Sequence, residues 1–110
     1  MIQVVMLYDS SNIFAKIIDK SISAKIVLED DDCIAFHDIN PQSPIHVLVV
    51  PKLACVDFED FILKSPDTSE FFRFIVKVAA KLGLTDYKLL TNKGKSAGQC
   101  VFHFHVHLMA

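Results

Sequence analysis

The chain has 110 residues, 52% of them hydrophobic, with three glycines and four prolines, which is enough for one domain with its own core and short for two. A net charge of −2 and a pI near 6.2 exclude a general attraction to nucleic acid or to an anionic membrane, so an anionic ligand must be held by a local site. Cys33, Cys55 and Cys100 are odd in number and widely spaced, with no C-x-x-C pair. That argues against a disulfide framework or a zinc knuckle and fits a reducing, cytoplasmic setting.

Residues 1–110 read as a single domain preceded by a short extension. The opening stretch, MIQVVMLYDSS, is apolar for a few residues only and lacks a basic region, so it is neither a signal peptide nor a membrane span. Residues 1–10 are read as an edge strand or loose tail without function, with Met6 a second candidate for the natural start. Ser11 or Asn12 caps a short helix over Asn12 to Lys20, with Ile13, Phe14, Ile17 and Ile18 on one side. Lys25 to Glu29 and Cys33 to His37 flank the acidic turn Asp30-Asp31-Asp32, a hairpin signal. Asn40-Pro41-Gln42-Ser43-Pro44 is a loop, and His46 to Val50 is a third strand stopped by Pro51.

The longest helix is expected between Ser65-Pro66 and Gly83, with a capping-box pattern at Asp67 and Glu70. Its wet face is Glu70, Arg73, Lys77 and Lys81. Phe71, Ile75, Val78 and Leu82 form one apolar stripe, and Phe72, Val76 and Ala79 form a second beside it. Two stripes are wider than one sheet surface needs; the helix is either deeply embedded or also packed against a partner subunit. Asp86 to Thr91 is a fourth strand. The loop Asn92-Lys93-Gly94-Lys95-Ser96-Ala97-Gly98-Gln99 follows and leads into the last strand. The order helix, hairpin, strand, helix, hairpin indicates α+β with a mostly antiparallel sheet.

That last strand holds the chemistry. Three of the five histidines, His103, His105 and His107, occupy alternate positions in QCVFHFHVHL. On a strand they share one face, with Phe102, Phe104, Val106 and Leu108 on the other, the core face. Aligned imidazoles oppose one another's protonation, which keeps at least one neutral near pH 7. A neutral imidazole suits a nucleophile or a metal ligand. One reading is zinc on His103, His105 and His107, or on a pair of them with His46, although no carboxylate stands out to orient the rings. The other is phosphoryl or nucleotidyl transfer, favoured by the Gly/Lys/Ser loop just before the strand, whose backbone suits one phosphate.

His103-Phe104-His105-Val106-His107-Leu108-Met109 resembles the signature of the histidine triad superfamily, His-φ-His-φ-His-φ-φ with φ apolar. The likeness runs from about Asn12 to Met109. In IFAKIIDKSISAKIVLEDDDCIAFHDINPQSPIHVLVVPK and LGLTDYKLLTNKGKSAGQ it is similar to the Hint branch, the purine nucleoside phosphoramidases. The resemblance implies a five-stranded antiparallel sheet with two helices, in a twofold homodimer whose sheets join. It implies a purine nucleoside 5′-phosphoramidate as substrate and no metal or cofactor. His105 would attack the α-phosphorus to form a nucleotidyl-histidine that water hydrolyses. His103 and His107 would contact phosphate and assist proton movement, with His46 beside them. Asn92 and the backbone of Gly98, Gln99 and Cys100 would hold phosphate oxygens, and Asp38 would bind the ribose hydroxyls. Ile13, Phe14, Ile17, Phe36, Ile39 and Leu48 would line the purine slot. Cys100 stands where the branch commonly carries serine, and relatives continue past the signature with a glycine-containing turn and a tail. A zinc module and a weakly active nucleotide-binding adaptor dimer are the alternatives.

Overall fold

In the computed structural model, residues 6–110 are described; residues 1–5, half of the expected N-terminal extension, lie outside them. The Asn12 side chain accepts the Ala15 N–H at 2.9 Å and starts helix α1, Ile13–Ile18. Asp30 Oδ1 accepts the N–H groups of Asp32 and Cys33 at 2.8 and 2.7 Å. The turn so formed joins β1, Ile26–Glu29, to β2, Cys33–His37. Strand β3, His46–Pro51, pairs with β2, and β5, Val106–Met109, lies between β3 and β4, Lys88–Leu90. The strand order is β1-β2-β3-β5-β4 with every neighbouring pair antiparallel, so the expected α+β fold with a five-stranded antiparallel sheet is present.

Two elements depart from expectation. The described residues hold three α-helices where two were implied, because α2, Phe58–Lys64, precedes the long helix α3, Thr68–Lys81. Asp57 caps α2 by accepting the Asp60 N–H at 2.9 Å, with Glu59 and Asp60 in its first turn and Lys64 in its last. Those charges suit the helix dipole at both ends. The last strand is also shorter than the histidine pattern suggests. Its ladder with β3 ends at the Val49–Val106 pair, because the Phe104 N–H turns away to the Cys55 carbonyl at 2.9 Å. His103 and His105 therefore precede the strand, and only His107 lies on it.

The sheet has two covered faces. Against one, α2 and α3 place Phe61, Phe71, Phe74, Ile75 and Val78 on Val27, Ala35, Val47, Val49, Phe104, Val106 and Leu108. Phe104, Val106 and Leu108 thus take the core side expected of them, while Phe102 is only half-buried. On the opposite face, Phe14 and Ile17 of α1 cover Ile34, Phe36, Leu48 and Val50. His107 pairs with Leu48, which pairs with Phe36, so His107 belongs to this second face. Along α3, Phe71, Ile75, Val78 and Ala79 are buried, but Phe72 and Val76 are 44% and 60% exposed. The helix is therefore not embedded all round: the outer part of its apolar surface is uncovered. No helix among the described residues is long and apolar enough to cross a membrane.

Phe61 locks α2 to the core, its ring stacked on Phe104 at 4.8 Å and edge-on to Phe71 at 5.1 Å. Phe61→Ala is expected to cost roughly 3–5 kcal/mol, the range for deleting a buried phenylalanine. Urea unfolding of the two proteins measures it, and a loss under about 1 kcal/mol would mean that α2 is not part of the cooperative core.

Candidate functional site

The partners of each ring nitrogen assign the imidazole protons, since a carbonyl can only accept. His103 is wholly buried, and its Nε2 lies 2.7 Å from the Pro51 carbonyl, so Nε2 carries the proton. Its Nδ1 is then bare and accepts from the Tyr8 hydroxyl at 2.6 Å. Burial holds His103 below the usual imidazole range and keeps it neutral. Both ring nitrogens are thus engaged inside the protein, in the ring that the sequence expectation has contacting phosphate.

The main-chain carbonyl of His103 is the partner of His105 Nδ1, at 2.7 Å. His105 therefore carries its proton on Nδ1 and a lone pair on Nε2. Among the described residues that Nε2 has no partner, and no fully buried side-chain nitrogen or oxygen of theirs lacks one, so it is open to solvent. The edge-on Phe14 ring, with centroids 4.8 Å apart, and the Thr91 hydroxyl, which donates to the His105 carbonyl at 2.8 Å, fix this residue from two sides. Burial lowers the pKa of His105, so the lone pair is free at neutral pH.

His46 is buried at the start of β3. The Gln42 N–H donates to its Nδ1 at 2.9 Å, leaving the proton of a neutral His46 on Nε2. That atom faces His107 Nδ1 at 2.9 Å and Asp38 Oδ2 at 3.3 Å. With Nδ1 accepting from His46, His107 presents Nε2–H, and its ring lies 5.1 Å from that of His105. Burial, then the neighbouring His105 and His46, push His107 down to about 4. Asp38 Oδ1 accepts the Asn40 N–H at 2.8 Å, which holds the carboxylate at the mouth of the Pro-rich loop.

The three triad imidazoles do not converge on one point, because both His103 nitrogens are turned inward. Zinc held by His103, His105 and His107 together is thus excluded by geometry. Asp38, His46 and His107 instead bring one potential ligand atom each to within 4.8 Å. That spacing suits a divalent ion, but the same atoms already satisfy one another by hydrogen bonds. His37, the fifth histidine, is exposed at the end of β2.

The expected slot residues divide. Phe14, Ile17, Phe36 and Leu48 pack on one another as core, each 3–6% exposed. Ile13 and Ile39 remain outside, Ile39 at 92%, and offer open apolar surface to a flat ring. The loop before the histidines is also partly used up. The Gly98 and Gln99 N–H groups donate to the Lys95 and Gly94 carbonyls, both at 3.1 Å, so neither is free for phosphate. Asn92 Nδ2 donates to the Ala97 carbonyl at 2.8 Å. Gln99 is buried, accepting from Gly94 N–H and donating to the carbonyls of Val56 and Val101 at 2.8 and 3.1 Å. It is a clamp, and the Cys100 amide is the open member of the three. Gly98 has φ +96, a backbone conformation that side-chain-bearing residues rarely adopt, so this turn favours glycine on backbone grounds. Lys93 is spoken for by Asp57 and Glu59 at 3.6 and 3.7 Å. Cys100 is an exposed free thiol, whereas burial pushes Cys33 and Cys55 up to about 12, which makes them inert.

Three contributors gave no signal in the sequence. Tyr8 lies 95 positions from its partner, Gln42 acts through its main-chain N–H, and Thr91 acts on a main-chain carbonyl.

Comparison with known proteins gives one consistent result. Residues 19–110 match the HIT domain. An uncharacterized HIT-like protein of Rickettsia prowazekii is 43% identical over 107 residues, spanning 94% of this chain and 89% of the relative. Among solved structures, a HIT family hydrolase from Clostridium thermocellum superposes with a TM-score of 0.77 at 36% identity, covering 91% of this chain and 90% of that one. A histidine triad nucleotide-binding protein from Candida albicans superposes with a TM-score of 0.76 at 29% identity, covering 89% and 73%.

The lowered imidazoles carry a pH signature. In the unfolded chain these rings take up protons near 6.5, but folded His107 does so only near 4, and His103 and His105 shift in the same direction. Between those limits the unfolded state binds more protons, so stability falls as pH drops from 6.5 toward 4. Thermal melts in half-unit pH steps should show this fall, and His107→Gln should flatten it. A melting temperature unchanged between pH 6.5 and pH 5 would contradict the buried neutral rings.

Proposed function

The chain belongs to the histidine triad (HIT) family, and from that premise we propose that it hydrolyses purine nucleoside 5′-phosphoramidates to the nucleoside monophosphate and an amine. The observation that carries this reading is the His105 ring. Its Nδ1–H is fixed on the His103 carbonyl at 2.7 Å and its Nε2 lone pair is bare. An imidazole so held is a nucleophile with one direction of attack.

His105 Nε2 attacks the α-phosphorus, forming a P–N bond to the ring as the P–N bond to the leaving amine breaks. The ring becomes a cation, and the His103 carbonyl on Nδ1–H stabilises that charge. The departing amine takes its proton from solvent, while neutral His107 offers it only a hydrogen bond from Nε2–H, the donor left by the His46 bond to His107 Nδ1. Water then attacks the same phosphorus, gives its proton back to solvent, and releases the monophosphate and free His105 as the bond to the ring breaks. Asp38 accepts from the ribose hydroxyls, the Cys100 amide from the phosphate side donates to a nonbridging oxygen, and Ile13 and Ile39 receive the purine. Since an apolar surface stacks adenine or guanine alike, the base is not discriminated here. No step needs a metal ion.

The reading extends to a homodimer. The exposed Phe72 of α3 lines one cavity with Leu89 and Leu90 of β4, 45% and 44% exposed, at the free edge of the sheet, and Val76 is exposed one helical turn further along α3. Phe58, Phe72, Leu89, Leu90, Thr91, Phe104 and Val106 line an apolar cavity of about 120 Å³ there. An uncovered apolar edge of this kind suits a twofold contact in which the same surface serves both subunits.

The first test is AMP release from adenosine 5′-phosphoramidate by EDTA-treated protein, beside His105→Asn. Turnover by the wild type, with loss of at least about a thousandfold in the variant and AMP affinity retained, is expected for a lost nucleophile. Equal loss of binding and turnover would disprove the role given to His105. Activity that vanishes with EDTA and returns with zinc would favour the Asp38, His46 and His107 cluster as a metal site instead. The second test is sedimentation: the wild type should run as a dimer and the double variant Val76→Glu, Leu89→Glu as a folded monomer. A monomeric wild type would rule out the shared edge.

A further inference from the structure

Tyr8 lies in the N-terminal segment to which the sequence assigned no role, yet it bonds to the one triad histidine that has no access to substrate. The segment is not a loose tail at this point. Asp9 Oδ1 accepts the Ser11 N–H and hydroxyl at 2.9 and 2.6 Å, and the Asp9 carbonyl accepts from Asn12 Nδ2 at 2.8 Å. The Asn12 side chain in turn caps α1. One small knot of polar bonds therefore aims two aromatic rings at the triad: Tyr8 edge-on to His103, with centroids 5.5 Å apart, and Phe14 edge-on to His105 at 4.8 Å.

We propose that Tyr8 is a positioning residue for the nucleophile, acting through His103 on the tautomer and aim of His105. The chain of bonds runs in one sense. The Tyr8 hydroxyl donates to His103 Nδ1 at 2.6 Å, and His103 Nε2–H donates to the Pro51 carbonyl at 2.7 Å. A ring tied at both ends cannot turn about its Cβ–Cγ bond without breaking one of the two. The adjoining His103 carbonyl is thereby kept on His105 Nδ1 at 2.7 Å. Remove the phenol proton and His103 Nδ1 becomes a buried acceptor with no donor, which favours proton exchange between its nitrogens and release of the Pro51 bond. The carbonyl then loses its fixed direction, and His105 gains access to the tautomer with its proton on Nε2, which cannot attack. Nothing in this relay touches substrate, so it acts on turnover and not on binding.

The inference rests on the phosphoramidate reading for its kinetic arm only. In Tyr8→Phe the ring and its edge-on contact stay and the hydroxyl goes. Release of AMP from adenosine 5′-phosphoramidate is expected to show kcat down about tenfold, the scale of one neutral hydrogen bond, with KM within about twofold of wild type. Long-range proton–nitrogen spectra of the histidine rings give the second arm and need no substrate. Wild type should carry protons on His103 Nε2 and His105 Nδ1, and Tyr8→Phe should show mixed tautomers at both rings. A wild-type proton on His103 Nδ1 overturns the proposal, whether or not the variant folds. A variant with unchanged ring spectra, or with unchanged kcat, also overturns it. An inactive wild type with the expected ring spectra would instead defeat the phosphoramidate reading and leave the Tyr8 relay standing.

Discussion

The site depends on one hydrogen bond between near neighbours in sequence, from His105 Nδ1 to the His103 carbonyl, at 2.7 Å. A carbonyl has no proton to give, so the bond dictates which imidazole nitrogen is bare, and no other contact among the described residues competes for it. Everything around it serves its direction. His103 must be held still, which Tyr8 and Pro51 do from opposite sides of its ring. The backbone must bend away from the sheet at Phe104, whose N–H leaves the ladder for Cys55. A regular strand would have sent that carbonyl to a neighbouring strand instead. The short ladder of β5 is therefore a requirement of the site.

Electrostatics follows from the same burial. Two facing helices and α1 take the region out of water, and the cost of charging an imidazole there keeps His103, His105 and His107 neutral. Neutral rings can pass hydrogen bonds in a definite order, and each neighbour's donor fixes the next ring's acceptor. The main-chain N–H of Gln42 sets His46, which sets His107. Charge is kept local for the same reason. Lys93 is matched by Asp57 and Glu59, and Lys20 and Lys52 both meet Glu29, so these three cations are drawn off to partners outside the site.

Much of this was legible in sequence, and the parts that were not share a cause. Strict alternation from His103 to Leu108 fixed which side chains face the core, since side-chain parity survives even where the ladder does not. The turn at Asp30 to Asp32, the Asn12 cap and the stop at Gly83 were readable because each works over four residues or fewer. Helix α2 carried the same local marks, Asp57 ahead of Phe58 and Lys64 near its end, and was overlooked beside the stronger α3. Of the residues expected at a purine slot, Phe14, Ile17, Phe36 and Leu48 share one buried cluster while Ile13 and Ile39 lie outside it: periodicity distinguishes faces, whereas only packing distinguishes Phe14 inside from Ile13 outside. The loop follows the same rule. Its glycines and lysines suit a phosphate cradle in isolation, but the Gly98 and Gln99 amides are consumed within it.

The two faces of the sheet also divide the work. His105 and His107 belong to the face under α1, while Phe104 and Val106, the residues on either side of His105, point to the opposite face and line the apolar cavity at the proposed dimer edge. Alternation thus gives neighbouring residues of one short segment to two different tasks. A subunit closing that edge would press on Phe104 and Val106 from behind and add to the fixity of the histidine backbone without approaching the nucleotide. A strand narrow enough to carry both functions has no slack: any shift that relieves one face moves the other. Such coupling is a reason for a small domain to brace the same residues from a third direction, and the Tyr8 contact to His103 supplies one.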